Sequence, residues 1–231
     1  MAILPKRSLG IRFIATLLFM KVQALEPGTV VEPQEMTRRE EIMQIAASLF
    51  VDKGYKATTV RLIADAANVQ SGSLYHHFGS KDEIVDELLG KYVRNALLRY
   101  EEVIATTDKP EEQVQKLIES AMDAVHSHRA ALLLLQQDGR WLAEQPRFSY
   151  LNEVGSKIET LWRNTVKSGI DAGVFNPEID PIVPFYMVRD AVMSAARWFN
   201  PQGKWTVTRW TRQCVILILS GLCTPGKVVR G

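Results

Sequence analysis

A chain of 231 residues, 46% hydrophobic and 23% charged, is long enough to bury one large core or two modest ones and has the composition of an ordinary soluble protein. Its formal net charge of +2 neither requires nor excludes a nucleic-acid partner, so only the placement of particular residues can decide that question. The two cysteines, Cys214 and Cys223, fall on opposite faces of a helix, with no CxxC and no Cys/His cluster, and read as buried thiols in a reducing cytoplasm, with no disulfide and no metal.

The first 35 residues stand apart from the rest. Lys6 and Arg7 precede an apolar run from Leu9 to Met20, and Val22-Gln23-Ala24 has the look of a cleavage site. Arg12 and Lys21 interrupt the run, which is too short to cross a bilayer. Residues 1–35 are therefore expected to be a dispensable extension outside any domain, with Met36 as an alternative start. Pro27, Gly28 and Pro33 mark residues 26–35 as a linker.

From Thr37 onward the pattern is helical and no period-two strand signal occurs. Thr37 and Glu40 predict a capping box, followed by Ile42, Ile45, Ala46, Leu49 and Phe50 at helical spacing up to Gly54. A short helix opens at Thr58 and Thr59, and Asn68 makes a tight turn. A third helix runs from Gln70 or Ser71 to His77, and Ser80 with Glu83 predicts a second capping box for a helix over residues 81–104. Further helices are expected near 110–126, 128–143, 149–172, 181–199 and 206–222, separated by Pro146, Gly173–Pro177 and Asn200–Gly203. The fold class is all-α: three small helices over residues 36–82, then a larger ligand-binding and dimerisation bundle over 83–231.

Residues 37–90 hold six Lys/Arg against eight Asp/Glu, so bulk charge is no guide to their partner. Two short helices joined by a tight turn cannot bury their own apolar faces and must lean on the first helix through Ile63, Ala67, Val69, Leu74 and Phe78. That leaves the outer face of the third helix exposed and narrow. Gly72 and Ser73 allow close approach to a duplex, Tyr75 and His76 can donate to phosphates or base edges, and the helix suits the major groove. Hydroxyls at Thr58 and Thr59, with Lys81 in the next first turn, suit phosphate. In an unrelated bundle the same residues would be caps and turns.

At these residues the chain resembles the tetracycline-repressor (TetR) family, matching over about residues 38–90. The match is Thr59–Val60–Ile63–Ala64, then Gly72–Leu74–Tyr75–His77–Phe78, then Lys81. The resemblance implies that Thr59, Tyr75 and Lys81 touch phosphates, that Gln70, Ser71, Ser73 and His76 are the base readers, and that His77 and Phe78 close the small core. Arg61 joins the DNA-binding set. The stretch Gly139–Tyr150, with Arg189-Asp190, Arg197-Trp198 and Pro201, resembles the actinobacterial branch of that family that represses steroid-ring catabolism and responds to coenzyme A thioesters. An aromatic is expected in that branch where Met193 stands.

A CoA thioester needs an apolar tunnel with cations at its mouth. Trp141, Leu142, Trp162, Phe185, Met193 and Trp198 are candidates for the tunnel, and Arg147, Arg189 and Arg197 for the mouth. The alternative is that the aromatics are core and the arginines solvated or paired, Arg189 with Asp190 or Asp138. From Cys214 through Leu219 to Leu222 the last helix is apolar on every side, so the helices over 181–199 and 206–222 are the expected homodimer interface. The function that follows is a cytoplasmic, dimeric repressor on double-stranded operator DNA, released by a bulky acyl-CoA. The alternative is control of an efflux or lipid-metabolism operon by another apolar ligand. An enzyme is not expected: His126, His128 and Asp138 form the only loose acid/base set and lack a nucleophile, a metal or a cofactor loop.

Overall fold

The computed structural model of the chain describes residues 36–200 and 203–223, so the expected extension and linker lie outside the described part. Nine α-helices and one 3-10 turn fill it, with no strand among the described residues, as the all-α reading requires. The first three helices are α1 (Arg38–Ala57), α2 (Val60–Ala66) and α3 (Ser71–His77). Then come α4 (Lys81–Thr106), α5 (Pro110–Ser127) and α6 (Arg129–Ala143), and after the 3-10 turn Pro146–Phe148 come α7 (Tyr150–Asp171), α8 (Val183–Trp198) and α9 (Val207–Leu222).

The helix starts follow from their caps. Thr37 Oγ1 accepts the Glu40 amide, and the Glu40 carboxylate accepts the Thr37 amide at 2.8 Å, which completes the expected capping box. The second box is only half made. Ser80 Oγ accepts the Glu83 amide at 3.2 Å, but the Glu83 carboxylate turns to the Gly79 amide at 2.8 Å, one residue earlier. Pro110 opens α5, where its missing N–H has no intrahelical acceptor to lose.

Gly54, with φ 79° and ψ 163°, breaks α1 before its last turn. Only glycine takes that backbone cheaply, and the break sends Tyr55 sideways, where its amide donates to Asp138 Oδ2 of α6 at 2.8 Å. Asn68, at φ 53°, makes the tight turn between α2 and α3 that its residue type tolerates.

Two apolar clusters organise the packing. One joins Ile42 and Phe50 of α1 to Ile63, Leu74 and Phe78, and continues into Leu89 of α4 and Leu134 and Leu142 of α6. The small helices therefore rest on a floor supplied by the larger bundle, each fully buried side chain contributing roughly 1.5–3 kcal/mol. The other cluster is the bundle's own interior, with Leu117, Met122, Trp162, Val188 and Leu222 among its members.

Candidate nucleic-acid interface and effector cavity

Helix α3 is anchored by one face and bare on the other. Leu74 and the following Phe78 are buried, whereas Gln70, Ser71, Gly72, Ser73, Tyr75 and His76 are exposed. A Cβ built on Gly72 would meet nothing within 4 Å, so the surface there is open to the approach of another molecule. Thr59 is exposed and caps α2 by accepting the Leu62 amide at 3.2 Å. Arg61 projects from α2, with the Asp65 carboxylate 3.9 Å away.

Arg38 and Arg39 secure this arrangement, and both were missed by sequence reasoning. The Arg39 guanidinium lies 4.2 Å over the Phe78 ring, pairs with Glu83 and Glu87, and donates from Nε to the His77 carbonyl. Arg38 donates to the Ala67 carbonyl at the end of α2. Two cations in the first turn of α1 oppose the helix dipole, and although Arg38 also pairs with Glu41 of the same helix, both reach partners beyond it.

Two of the expected phosphate contacts require correction. Thr58 is 0% exposed, and its hydroxyl donates to the carbonyls of Gly54 at 2.8 Å and Leu49 at 3.2 Å; it ends α1 and does not face a duplex. Lys81 is turned inward: its ammonium donates to the Tyr55 carbonyl at 2.8 Å and lies 3.9 Å over the Tyr55 ring. Burial holds the Lys81 ammonium below its usual range, against the nearby charges of Asp82 and Asp138.

A cavity of about 190 Å³ lies within the bundle between α4, α7 and α8. Trp162, Phe185, Arg189 and Met193 of the expected effector set line it together, joined by Tyr92 and Tyr100 of α4. The lining is apolar apart from the two phenols, the Trp162 indole and Arg189. Burial pushes the Tyr92 phenol up to about 12 and the Tyr100 phenol further, so both remain neutral donors at ordinary pH. Arg189 is half-exposed at the rim; it pairs with the adjacent Asp190 at 2.9 Å and lies 4.7 Å over the Tyr186 ring.

The other five expected effector residues are elsewhere: Leu142 is buried in the cluster beneath the small helices, and Trp198 is exposed at the end of α8 with its ring 5.0 Å from that of Trp210. Trp141 belongs to the cluster beneath the small helices, its ring 5.3 Å from Tyr55 and capped by Lys56 at 4.7 Å. Arg147 faces Asp86 of α4 at 3.7 Å, outside the cavity lining. Arg197 is exposed on α8 and does not line the cavity, because eight positions from Arg189 amount to about 12 Å of rise and 80° of rotation. Tyr92 and Tyr100 were not picked out in the sequence, since a tyrosine at core spacing gives no sign of facing a void.

A bare, short second helix braced by a first, on a bundle with an interior cavity, has the form of a helix-turn-helix DNA-binding regulator. Residues 42–88 match the bacterial regulatory proteins of the tetR family, and residues 107–222 match the tetracyclin repressor-like C-terminal domain. The chain belongs to the tetR family of bacterial transcriptional regulators. It is 36% identical over 193 residues to the HTH-type transcriptional repressor KstR2 of Mycobacterium tuberculosis (strain ATCC 25618 / H37Rv), covering 84% of this chain and 96% of that one. The solved structure of ketosteroid transcriptional regulator KstR2 of Mycobacterium tuberculosis superposes with a TM-score of 0.78 at 36% identity, over 83% of this chain and 97% of that one. AibR, solved in complex with isovaleryl coenzyme A and operator DNA, shares the fold at a TM-score of 0.67 and 18% identity, over 78% of this chain and 97% of that one. No described helix is long and apolar enough to cross a membrane.

Proposed function

We propose that the protein is a homodimeric repressor of a steroid-degradation operon, released from its operator by a bulky acyl-CoA thioester. The observation that carries the effector reading is the cavity itself, apolar within and edged by the guanidinium of Arg189. An acyl group would fill the interior while the polyanionic CoA handle remains at the rim, where a charge-assisted hydrogen bond is stronger than the exposed pairing with Asp190 that it replaces. Support comes from the identity to KstR2, named as a repressor, and from AibR, which holds an acyl-CoA on the same fold.

On the DNA side, Gln70, Ser71, Ser73 and His76 face the bases, with Gly72 giving clearance, and Thr59, Arg61 and Tyr75 hold phosphates. Binding is differential: the effector favours a conformer whose two α3 helices no longer match successive major grooves. The test is operator DNA bound by the full chain and titrated with the steroid-derived thioester, its free acid and CoA alone. The thioester alone should release the DNA, with a coupling of about 1–3 kcal/mol, roughly 5–150-fold in affinity. Arg189→Ala should blunt that release while operator affinity without effector is unchanged. Release that is equal for Arg189→Ala and parent, or absent with every thioester, contradicts the effector reading.

A further inference from the structure

Helix α3 has little of its own to hold it. It is seven residues long, only Leu74 within it is buried, and Gln70 gives its start no side-chain cap. Phe78, directly after it, is the second apolar anchor. Anchors four residues apart share one face, in a line nearly parallel to the helix axis, and by themselves do little against a roll of α3 about that line.

The restraint against that roll comes from Arg39 of α1. Its guanidinium lies over the Phe78 ring, Nε donates to the His77 carbonyl at 3.3 Å, and the outer nitrogens pair with Glu87 at 2.7 Å and Glu83 at 3.7 Å. Among the described residues, this is the side-chain hydrogen bond that reaches α3 from outside it. One flat, rigid group thus joins α1, the last residue of α3 and the first two turns of α4. Glu83 in turn accepts the Gly79 amide at 2.8 Å, which fixes the short link between α3 and α4. With its face, its Nε and its outer nitrogens all engaged inside the protein, Arg39 has nothing left over for a phosphate.

We infer that Arg39 is a positioning residue for sequence discrimination: it sets the roll of α3 so that Gln70, Ser71, Ser73 and His76 meet the base edges together. This rests on the reading of α3 as the base-reading helix. A base contact depends on direction, whereas attraction to phosphates depends mainly on distance, so a small roll costs discrimination and leaves non-specific binding intact. Lysine is a poor replacement, since an ammonium has no flat fork to lie on the Phe78 ring while bonding on both sides.

The test measures the full chain on two duplexes: the inverted repeat footprinted upstream of the protein's own gene, and the same duplex with both half-sites scrambled. Arg39→Lys keeps the charge and should bind the operator about tenfold or more weakly, with affinity for scrambled DNA held within about twofold and the salt slope unchanged. Glu87→Gln, a milder change on α4, should lower the operator-to-scrambled ratio about threefold. The double variant should do no worse than Arg39→Lys alone, because both changes act through one contact. A ratio unchanged in Arg39→Lys, or in Glu87→Gln where Arg39→Lys does not fold, overturns the inference and leaves base reading by α3 intact. So does an equal loss on both duplexes, the mark of a merely structural role, or a salt slope lower by about one, the mark of a phosphate contact. If the parent itself does not distinguish the two duplexes, the base-reading assignment fails and the inference with it.

Discussion

Thr58 and Thr59 carry the same side chain on adjacent positions and face opposite ways, which decides what each substitution does. The Thr58 hydroxyl is buried and bonded to two carbonyls, so Thr58→Val should cost about 1–3 kcal/mol of stability, seen as a lower denaturant midpoint, with operator affinity of the folded protein unchanged. Thr59→Val should remove a cap worth about 0.5–2 kcal/mol and weaken DNA binding as well. Lys81→Met should lower thermal stability yet leave the salt dependence of operator binding unaltered; a shallower salt slope would restore a phosphate role to Lys81. His128, half-buried against Tyr92 at 5.4 Å, is held below its ordinary value of 6.5 by burial and then by Arg99 and Lys91, with Asp123 opposing. The unfolded state therefore takes up the proton first as pH falls below 6.5, so stability is full above that pH and is lost below it. His128→Phe should flatten the fall in melting temperature between about pH 7 and pH 5. The exposed face of α3 was legible because the helix is too short to hide more than one face. Thr58, Lys81, Trp141 and Arg147 were not, because residue type gives no direction when neighbours on a helix point about 100° apart.

At the scale of elements, helix order was legible because proline, glycine and capping residues punctuate the chain, and α5 to α9 fall within a residue or two of the expected ranges. The route between the halves was less so. One route is α4, which starts at the DNA-binding helices and lines the cavity. The structure adds α6, which lies along α1: Asp138 accepts the Tyr55 amide at 2.8 Å, Gln137 donates to the Val51 carbonyl at 3.1 Å, and Leu135 of the same helix lines the cavity. The Asp138 bond depends on Gly54 turning Tyr55 aside, a backbone event with no periodic signature. Asp138→Ala should leave thioester affinity within about twofold while reducing its effect on operator affinity, because coupling, not binding, runs through that bond. Unchanged release by the thioester would return the whole task to α4.

Across the whole molecule, α8 and α9 leave apolar surface uncovered: Leu217 is 72% exposed, with Ile216, Met187 and Trp198 also exposed. A second copy related by a two-fold axis would cover that face and set two α3 helices side by side, so Leu217→Lys should give monomers in sedimentation and weaken operator binding. Sequence-specific reading by paired α3 helices is open to a footprint combined with competition binding on the DNA upstream of the protein's own gene. The expected result is a protected inverted repeat, with half-site centres about 34–36 Å apart, bound about 10³-fold or more over scrambled DNA, and preference among operators altered by Ser73 or His76 substitution. A single unpaired half-site, or equal affinity for scrambled DNA, would contradict it.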